Sequence, residues 1–336
     1  MDLLTQGLLG ASLAQSGTRQ NETRLATGVG FFAGLLADAD ILIQSVNDPL
    51  LTVEFHRHFT HSIFFVPFGS LIAALILWPF LRKRLSFSRL YLFCFLGYSL
   101  SGVLDALTSY GTHLFWPVSE ERVALNIVSV IDPIFTLILL IAVIFAYKKK
   151  AVMVAKIGLI IAGFYLVLGW VQLQRAEAAA ADLIASRGHV AEQLMVKPTL
   201  ANLILWRSIY ETEGKFYVDA IRVSLFSQSR IYPGESIKKF TIDQFLNQMP
   251  EESILAKDIA RFTVFSAGFV AIQPDHPDLL IDVRYSNLPT TVAPLWGIEM
   301  NLQDPDQHAV YRLFRDTSKE TRQRFLAYLT GESVDE

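Results

Sequence analysis

His56-Arg57-His58-Phe59-Thr60-His61 runs directly into twenty uncharged residues, Ser62 to Leu81. Twenty apolar residues wound as a helix reach about 30 Å, the thickness of a bilayer's hydrocarbon core. The stretch therefore predicts a membrane helix with three histidines at its mouth, where water meets lipid. Histidine is the commonest metal ligand and the side chain that titrates nearest neutral pH. Arg57 and Thr60 between the histidines point to a polar, hydrogen-bonded pocket. The same cluster would also serve as a basic patch for lipid headgroups, and spacing alone leaves both readings open.

Further apolar runs flank this one. Leu25–Asn47 is interrupted only by Asp38 and Asp40, Leu90–Ser119 by one acid, Asp105, and Val123–Tyr147 by Asp132 alone. Ile157–Gln174 carries no charge, and Leu3–Gln15 is a shorter run. The expected fold is an α-helical membrane domain of about six helices over residues 1–174, followed by a soluble α+β domain over 175–336. The 52% apolar content and mean hydropathy of +0.36 are high for a soluble protein, and the excess lies in the first half. A net charge of −3 provides no electrostatic footprint for nucleic acid. Met1 to Gln6 lacks the basic start of a secretory signal, so the first apolar segment is expected to stay. Cys94, the single cysteine, excludes a disulfide framework and a zinc–thiolate site. Any metal must be held by nitrogen and oxygen.

Basic residues in short loops predict the orientation. Arg82-Lys83-Arg84 with Arg89, and Lys148-Lys149-Lys150, mark two cytoplasmic loops, with Arg19 and Arg24 a weaker third. Threading the chain through them brings Asp38, Asp40, the histidine cluster, Asp105, Thr108 and Asp132 to the outer face. It also sends residues after Gln174 outward, away from the cytoplasm. In that half, Gln174–Ser186 is Ala-rich and helical, and Leu203–Tyr210 and Phe216–Leu225 flank a Glu-Thr-Glu-Gly turn as a hairpin. Ala256–Phe265 reads as a helix; Leu279–Tyr285 and Ala293–Met300 read as strands. His189, His276 and His308 are isolated, and no catalytic motif is present there.

Carboxylates within apolar runs are costly, about 2.5–3.5 kcal/mol at the bilayer centre, and so mark functional positions. Asp38 and Asp40 are two apart and serve one site only if their helix ends or unwinds between them. Ser101, Asp105 and Thr108 share one helical face. Asp132-Pro133 has the form of a helix start. Thr60 is placed to cap the helix that follows it, and Gly7, Gly10, Gly28, Gly30 and Gly34 suit close helix packing.

The pattern resembles the YdjM-like family of membrane-bound proteins, to which metal-dependent hydrolysis is ascribed. The matching pieces are Asp2-Leu3-Leu4-Thr5-Gln6 with Gly10-Ala11, Ala37-Asp38-Ala39-Asp40, and His56-Arg57-His58-Phe59-Thr60-His61-Ser62. Leu104-Asp105-Ala106-Leu107-Thr108-Ser109-Tyr110-Gly111, Phe115-Trp116-Pro117 and Ile131-Asp132-Pro133 complete it. The family often has His where Gln6 stands and usually has His where Ser101 stands, so this chain offers fewer ligands. The resemblance implies an integral inner-membrane protein with a divalent-metal site, zinc or manganese, and a membrane lipid or membrane-derived ester as substrate. Asp38, His56, His61 and Asp105 are the expected ligands. Asp40, Arg57 and His58 are the expected catalytic residues: a carboxylate to take a proton, a guanidinium to steady negative charge, and a further histidine in the outer sphere. The rival expectations are a lipid-binding scaffold whose outer domain holds a protein partner, and a transporter with the acids as an ion path.

Overall fold

The structure, a computed structural model, describes residues 1–224, 228–242, 250 and 252–332. The chain forms two compact units. The first comprises Met1–Leu42, Phe55–Val171 and Leu200–Asn202; the second comprises Ile43–Glu54, Gln172–Thr199 and the chain from Leu203 onward. The division near residue 172 lies close to the sequence boundary of 174, but it is not strictly sequential. Residues 43–54, drawn from the middle of the apolar half, group with the C-terminal unit.

In the first unit, α1 (Leu3–Ser16) starts under an Asp2 cap whose carboxylate accepts from the Thr5 amide. α2 (Thr23–Leu36) passes into a 3₁₀ turn, Ala37–Leu42. The two helices approach backbone to backbone: a Cβ on Gly10 would stand 2.4 Å from the Gly30 carbonyl oxygen. Gly28 departs from the close-packing expectation, with no atom within 4 Å of its would-be Cβ. α3 (Leu51–Phe55) and a 3₁₀ turn over Phe59–His61 precede α4 (Val66–Leu81). The helix thus begins later than the uncharged run, and Thr60 does not cap it. α5 (Phe87–Tyr98) and α6 (Ser101–Ala106) follow.

The expected spans Leu90–Ser119 and Val123–Tyr147 do not meet, and both are shorter than their apolar runs. Gly111 at φ 76° belongs to the turn after α6, and Thr112 and Val123 exchange main-chain hydrogen bonds of 3.0 and 2.8 Å. Residues 107–132 are therefore not helical. α7 (Pro133–Lys149) begins where Asp132 accepts from the amides of Ile134 and Phe135, as Asp-Pro predicts. α8 (Val152–Ser186) is a single 35-residue helix that absorbs both Ile157–Gln174 and the Ala-rich stretch. Among the described residues three helices are long and apolar enough to cross a membrane, Thr23–Leu42, Phe87–Ala106 and Val152–Ser186. The pair Leu51–His61 and Val66–Leu81, bent by 92°, makes a fourth if taken as one span. Six spans are not reached.

The second unit holds two four-stranded antiparallel sheets. β1 (Gln193–Pro198), β2 (Leu205–Thr212), β3 (Lys215–Arg222) and β4 (Arg230–Lys238) form the first in chain order. The β2–β3 hairpin closes through Glu213 and Gly214, both at positive φ, the two-residue turn whose twist matches its strands. Leu225, the expected end of β3, lies outside the described residues. α9 (Ile254–Phe265) precedes β5 (Val270–Gln273), β6 (His276–Asp282), β7 (Trp296–Glu299) and β8 (Val310–Leu313); α10 (Lys319–Thr330) follows. β6 shows the period of two that makes a sheet core: Leu279 and Ile281 pack with Ile209, Phe216 and Val218, whereas Leu280 packs with Ile259 and Phe262 of α9.

Candidate metal centre

α2 stops at Leu36, and the tighter winding that follows decides how its acids are used. Residues two apart on an α-helix diverge by about 160°, but on a 3₁₀ turn by only about 120°. Asp38 and Asp40 thereby flank the two nitrogens of one imidazole. Asp38 Oδ1 is 3.5 Å from His61 Nε2, and Asp40 Oδ2 is 3.3 Å from His61 Nδ1. Asp105, from the last turn of α6, brings Oδ2 to 2.9 Å from the same Nε2.

His61 sits where it does because Gly102 lets it. A Cβ on Gly102 would lie 1.8 Å from the His61 carbonyl oxygen, so only glycine permits α6 to rest against the histidine's backbone. Asp40 organises the rest. Its Oδ2 accepts from the Arg57 amide at 2.7 Å and from Thr60 Oγ1 at 2.7 Å, and its Oδ1 is 3.2 Å from His56 Nδ1. Thr60 Oγ1 also lies 3.0 Å from His61 Nδ1, and the Tyr98 hydroxyl donates to the Thr60 carbonyl. Arg57 takes φ 60°, a left-handed conformation that costs about 1–2 kcal/mol in a side-chain-bearing residue. The bond to Asp40 on one side, and donation to the Arg57 carbonyl from His113 N and Thr112 Oγ1 on the other, hold it there.

Asp38, His61 and Asp105 offer ligand atoms that all lie within 4.8 Å of one another, and all three residues are buried. Ligands about 2.1 Å from a tetrahedral ion would stand about 3.4 Å apart, close to the spacings seen. The approach of His61 Nε2 to Asp105 Oδ2 also lacks hydrogen-bond geometry: both atoms are buried with no hydrogen-bond partner, as is Asp38 Oδ2. Orphaned polar atoms are rare in protein interiors, and these three belong to the three clustered residues. Three buried carboxylates are answered by the Arg57 guanidinium, whose Nε is 3.2 Å from Asp105 Oδ2, and by the Met1 amino nitrogen on Asp105 Oδ1. A divalent cation fits this nitrogen–oxygen donor set and its negative charge.

The other expected site residues fall around this group. His56 is not among the converging ligands; its side chain is about a quarter exposed and rests on Asp40. Arg57 is buried beside Asp105, donates to Thr108 and the Met1 carbonyl, and lies over the Tyr110 ring. His58 turns to a different neighbourhood, its ring 4.4 Å from that of His113 and 5.8 Å from that of Trp116. His113 was not singled out by sequence, although it is the histidine of the non-helical stretch after α6. Burial, with Arg122 and His58 nearby, pushes it down to about 4, so it is neutral at pH 7. Gly102 and the bridging role of Thr60 also escaped, because each depends on a contact between distant segments. Ser101 is buried, and Gln6 Nε2 donates to its carbonyl at 3.2 Å, so the two positions that depart from the family pattern are neighbours.

Uncharacterized protein YfhP of Bacillus subtilis (strain 168) is 30% identical over 183 residues, covering 54% of this chain and 54% of that protein. The chain thus matches about half the length of this curated relative. No solved structure matches it. Thr23–Leu42 and Phe87–Ala106, two of the helices with the length and apolarity to cross a membrane, the Asp38-x-Asp40 turn and the His56–His61 cluster all lie within residues 1–176, the part that matches the YdjM inner membrane protein family, and the chain belongs to that family.

Proposed function

We propose that this membrane protein is a metal-dependent hydrolase of the bacterial inner membrane, acting on a phosphoester or lipid-type ester. One observation carries the reading: buried Asp38, His61 and Asp105 bring ligand atoms within 4.8 Å of one another, and His61 Nε2 and Asp105 Oδ2, 2.9 Å apart, have no hydrogen-bond partner. Three protein ligands are the catalytic pattern, since structural zinc sites close with four. A bound divalent ion would supply Lewis acidity and bring the pKa of water toward neutrality, zinc being the first choice and manganese the second.

The chain's own residues would do the rest. Asp40 holds His61 Nδ1 and so orients Nε2 toward the centre, the role of a carboxylate behind a ligating histidine. His56, backed by the same carboxylate and partly open to solvent, is placed to carry a proton away. Arg57 would steady negative charge developing beside Asp105. The basic-loop pattern supports an outer-face site and a periplasmic C-terminal unit.

Metal content of detergent-purified protein tests this, alongside His61→Ala and Asp105→Ala and a panel of phospholipid and phosphodiester substrates. The expected result is one ion per chain, lost in both variants, with hydrolysis that a chelator abolishes and added metal restores. A folded wild-type protein that binds no zinc or manganese would sink the hydrolase and favour a lipid-binding scaffold.

A further inference from the structure

The two halves of the candidate centre lie on either side of one segment. Asp38 and Asp40 precede Ile43 by a few residues, and His56 to His61 begin two residues after Glu54. The intervening Ile43–Glu54 groups with the C-terminal unit rather than with the unit that contains those residues. Leu50 is 3% exposed there, buried among Phe240, Leu255, Ile259, Phe262 and Met300.

Polar contacts fasten the segment on both sides of Leu50. Arg261 Nη1 donates to Asp48 Oδ1 at 3.1 Å, and its Nη2 is 3.0 Å from Asp48 Oδ2. Arg261 Nη2 and Nε also reach Glu54 Oε2, at 2.6 and 3.2 Å. The guanidinium is itself held by buried Asp258, 3.1 Å away, which in turn accepts from the Ala309 amide and meets His308 Nδ1. Asp48, Asp258 and His308 are close enough to hold an ion of their own, but Arg261 already supplies the cation. The cluster therefore reads as an anchor.

We propose that the C-terminal unit sets the affinity of the metal centre by gripping the segment that joins its halves, with Leu50 and Arg261 as positioning residues. The proposal rests on the metal-centre reading for its affinity readout. Its physics is preorganisation. A site assembled in only a fraction of molecules binds more weakly by that fraction. Extended chain spans at most about 3.6 Å per residue, so anchors at Asp48 and Glu54 restrict how far Asp40 and His56 can stray. Releasing the anchor frees both ends at once.

The test uses the full chain in detergent. Zinc affinity is measured by competition titration for wild type, Leu50→Ala, Arg261→Ala, Arg261→Lys and the control Arg187→Ala. The control breaks a different ion pair of the same unit, Arg187 with Asp219, which does not touch the segment. Leu50→Ala and Arg261→Ala are expected to bind on the order of tenfold more weakly, Arg261→Lys to recover most of the loss, and Arg187→Ala to match wild type. If Arg261→Ala fails to fold, Asp48→Asn combined with Glu54→Gln removes the same ion pairs from the other side. Amide hydrogen exchange over residues 55–62 reads the positioning with no ion present. Faster exchange in the anchor variants but not in the control supports the proposal even if wild type binds no zinc, in which case only the metal reading fails. Zinc affinity unchanged in the anchor variants while wild type binds zinc, or exchange unchanged where wild type binds none, would overturn it.

Discussion

Replacing Gly102 with alanine gives the sharpest test of the geometry around His61. The added Cβ would stand 1.8 Å from the His61 carbonyl oxygen, whereas a close C···O approach is about 3.3 Å. The histidine backbone or the start of α6 must therefore give way by about 1.5 Å. A functional constellation tolerates about 0.5 Å, so the movement separates His61 Nε2 from Asp105 Oδ2, now 2.9 Å away. A displacement of this size costs about 100-fold in activity where the group is catalytic, and metal affinity should fall at least tenfold. Overpacking adds about 1–3 kcal/mol of destabilisation. Zinc titration and thermal unfolding of purified Gly102→Ala measure both, with Gly28→Ala as the control because its new methyl meets nothing. Zinc affinity within threefold of wild type in a folded Gly102→Ala protein would refute the reasoning: either His61 is no ligand, or α6 yields without moving it.

Three further outcomes are expected. Asp40→Asn should keep the ligands Asp38, His61 and Asp105 but lose the charge behind His61 Nδ1, weakening zinc binding by about 10–100-fold, whereas Asp38→Asn should come close to abolishing it; equal losses would argue that Asp40 itself ligates. Lys197 is buried over the Tyr285 ring with no hydrogen-bond partner; burial, reinforced by Arg284, pushes its pKa well below the usual lysine range. The folded protein then holds fewer protons than the unfolded chain at neutral pH, so Lys197 becomes more destabilising as pH falls from about 10.4 toward its folded value, by up to about 1.4 kcal/mol per unit. Lys197→Met should therefore raise the unfolding temperature more at pH 6.5 than at pH 9, and a gain independent of pH would contradict this. An alkaline phosphatase fusion after Glu336 should be active and a green fluorescent one dark; the reverse pattern places the C-terminal unit in the cytoplasm.

Much of the first unit was legible in one dimension because hydropathy and helix starts are local properties. A helix of spanning length overlaps each of Leu25–Asn47, Leu90–Ser119 and Ile157–Gln174, and Asp132-Pro133 caps α7 as its chemistry dictates. In the second unit Glu213-Gly214 forms the hairpin turn for an equally local reason: glycine tolerates positive φ, which the turn demands. Where each helix ends was less legible. The runs Leu90–Ser119 and Val123–Tyr147 read as membrane, the first with a turn signal at Tyr110-Gly111, yet over residues 107–132 the main chain pairs with itself and with the end of α6. A hydropathy window cannot separate such a buried excursion from a continuing helix.

The residue types of the candidate centre were visible in sequence, since buried-side acids and clustered histidines are rare for a physical reason: ions are costly to desolvate. Their division of labour was decided only by tertiary contacts. His61, not His56, meets Asp38 and Asp105, because Gly102 lets α6 lie on the His61 backbone while Asp40 draws His56 away. Asp40 faces the far nitrogen of the same ring because α2 tightens to a 3₁₀ turn at Ala37. The capture of residues 43–54 by the C-terminal unit has no signature in the chain's own hydropathy; it depends on Leu50 finding a core and Arg261 finding two acids. Composition and spacing determine which groups must be protected from lipid, and packing between distant segments determines which of them meet.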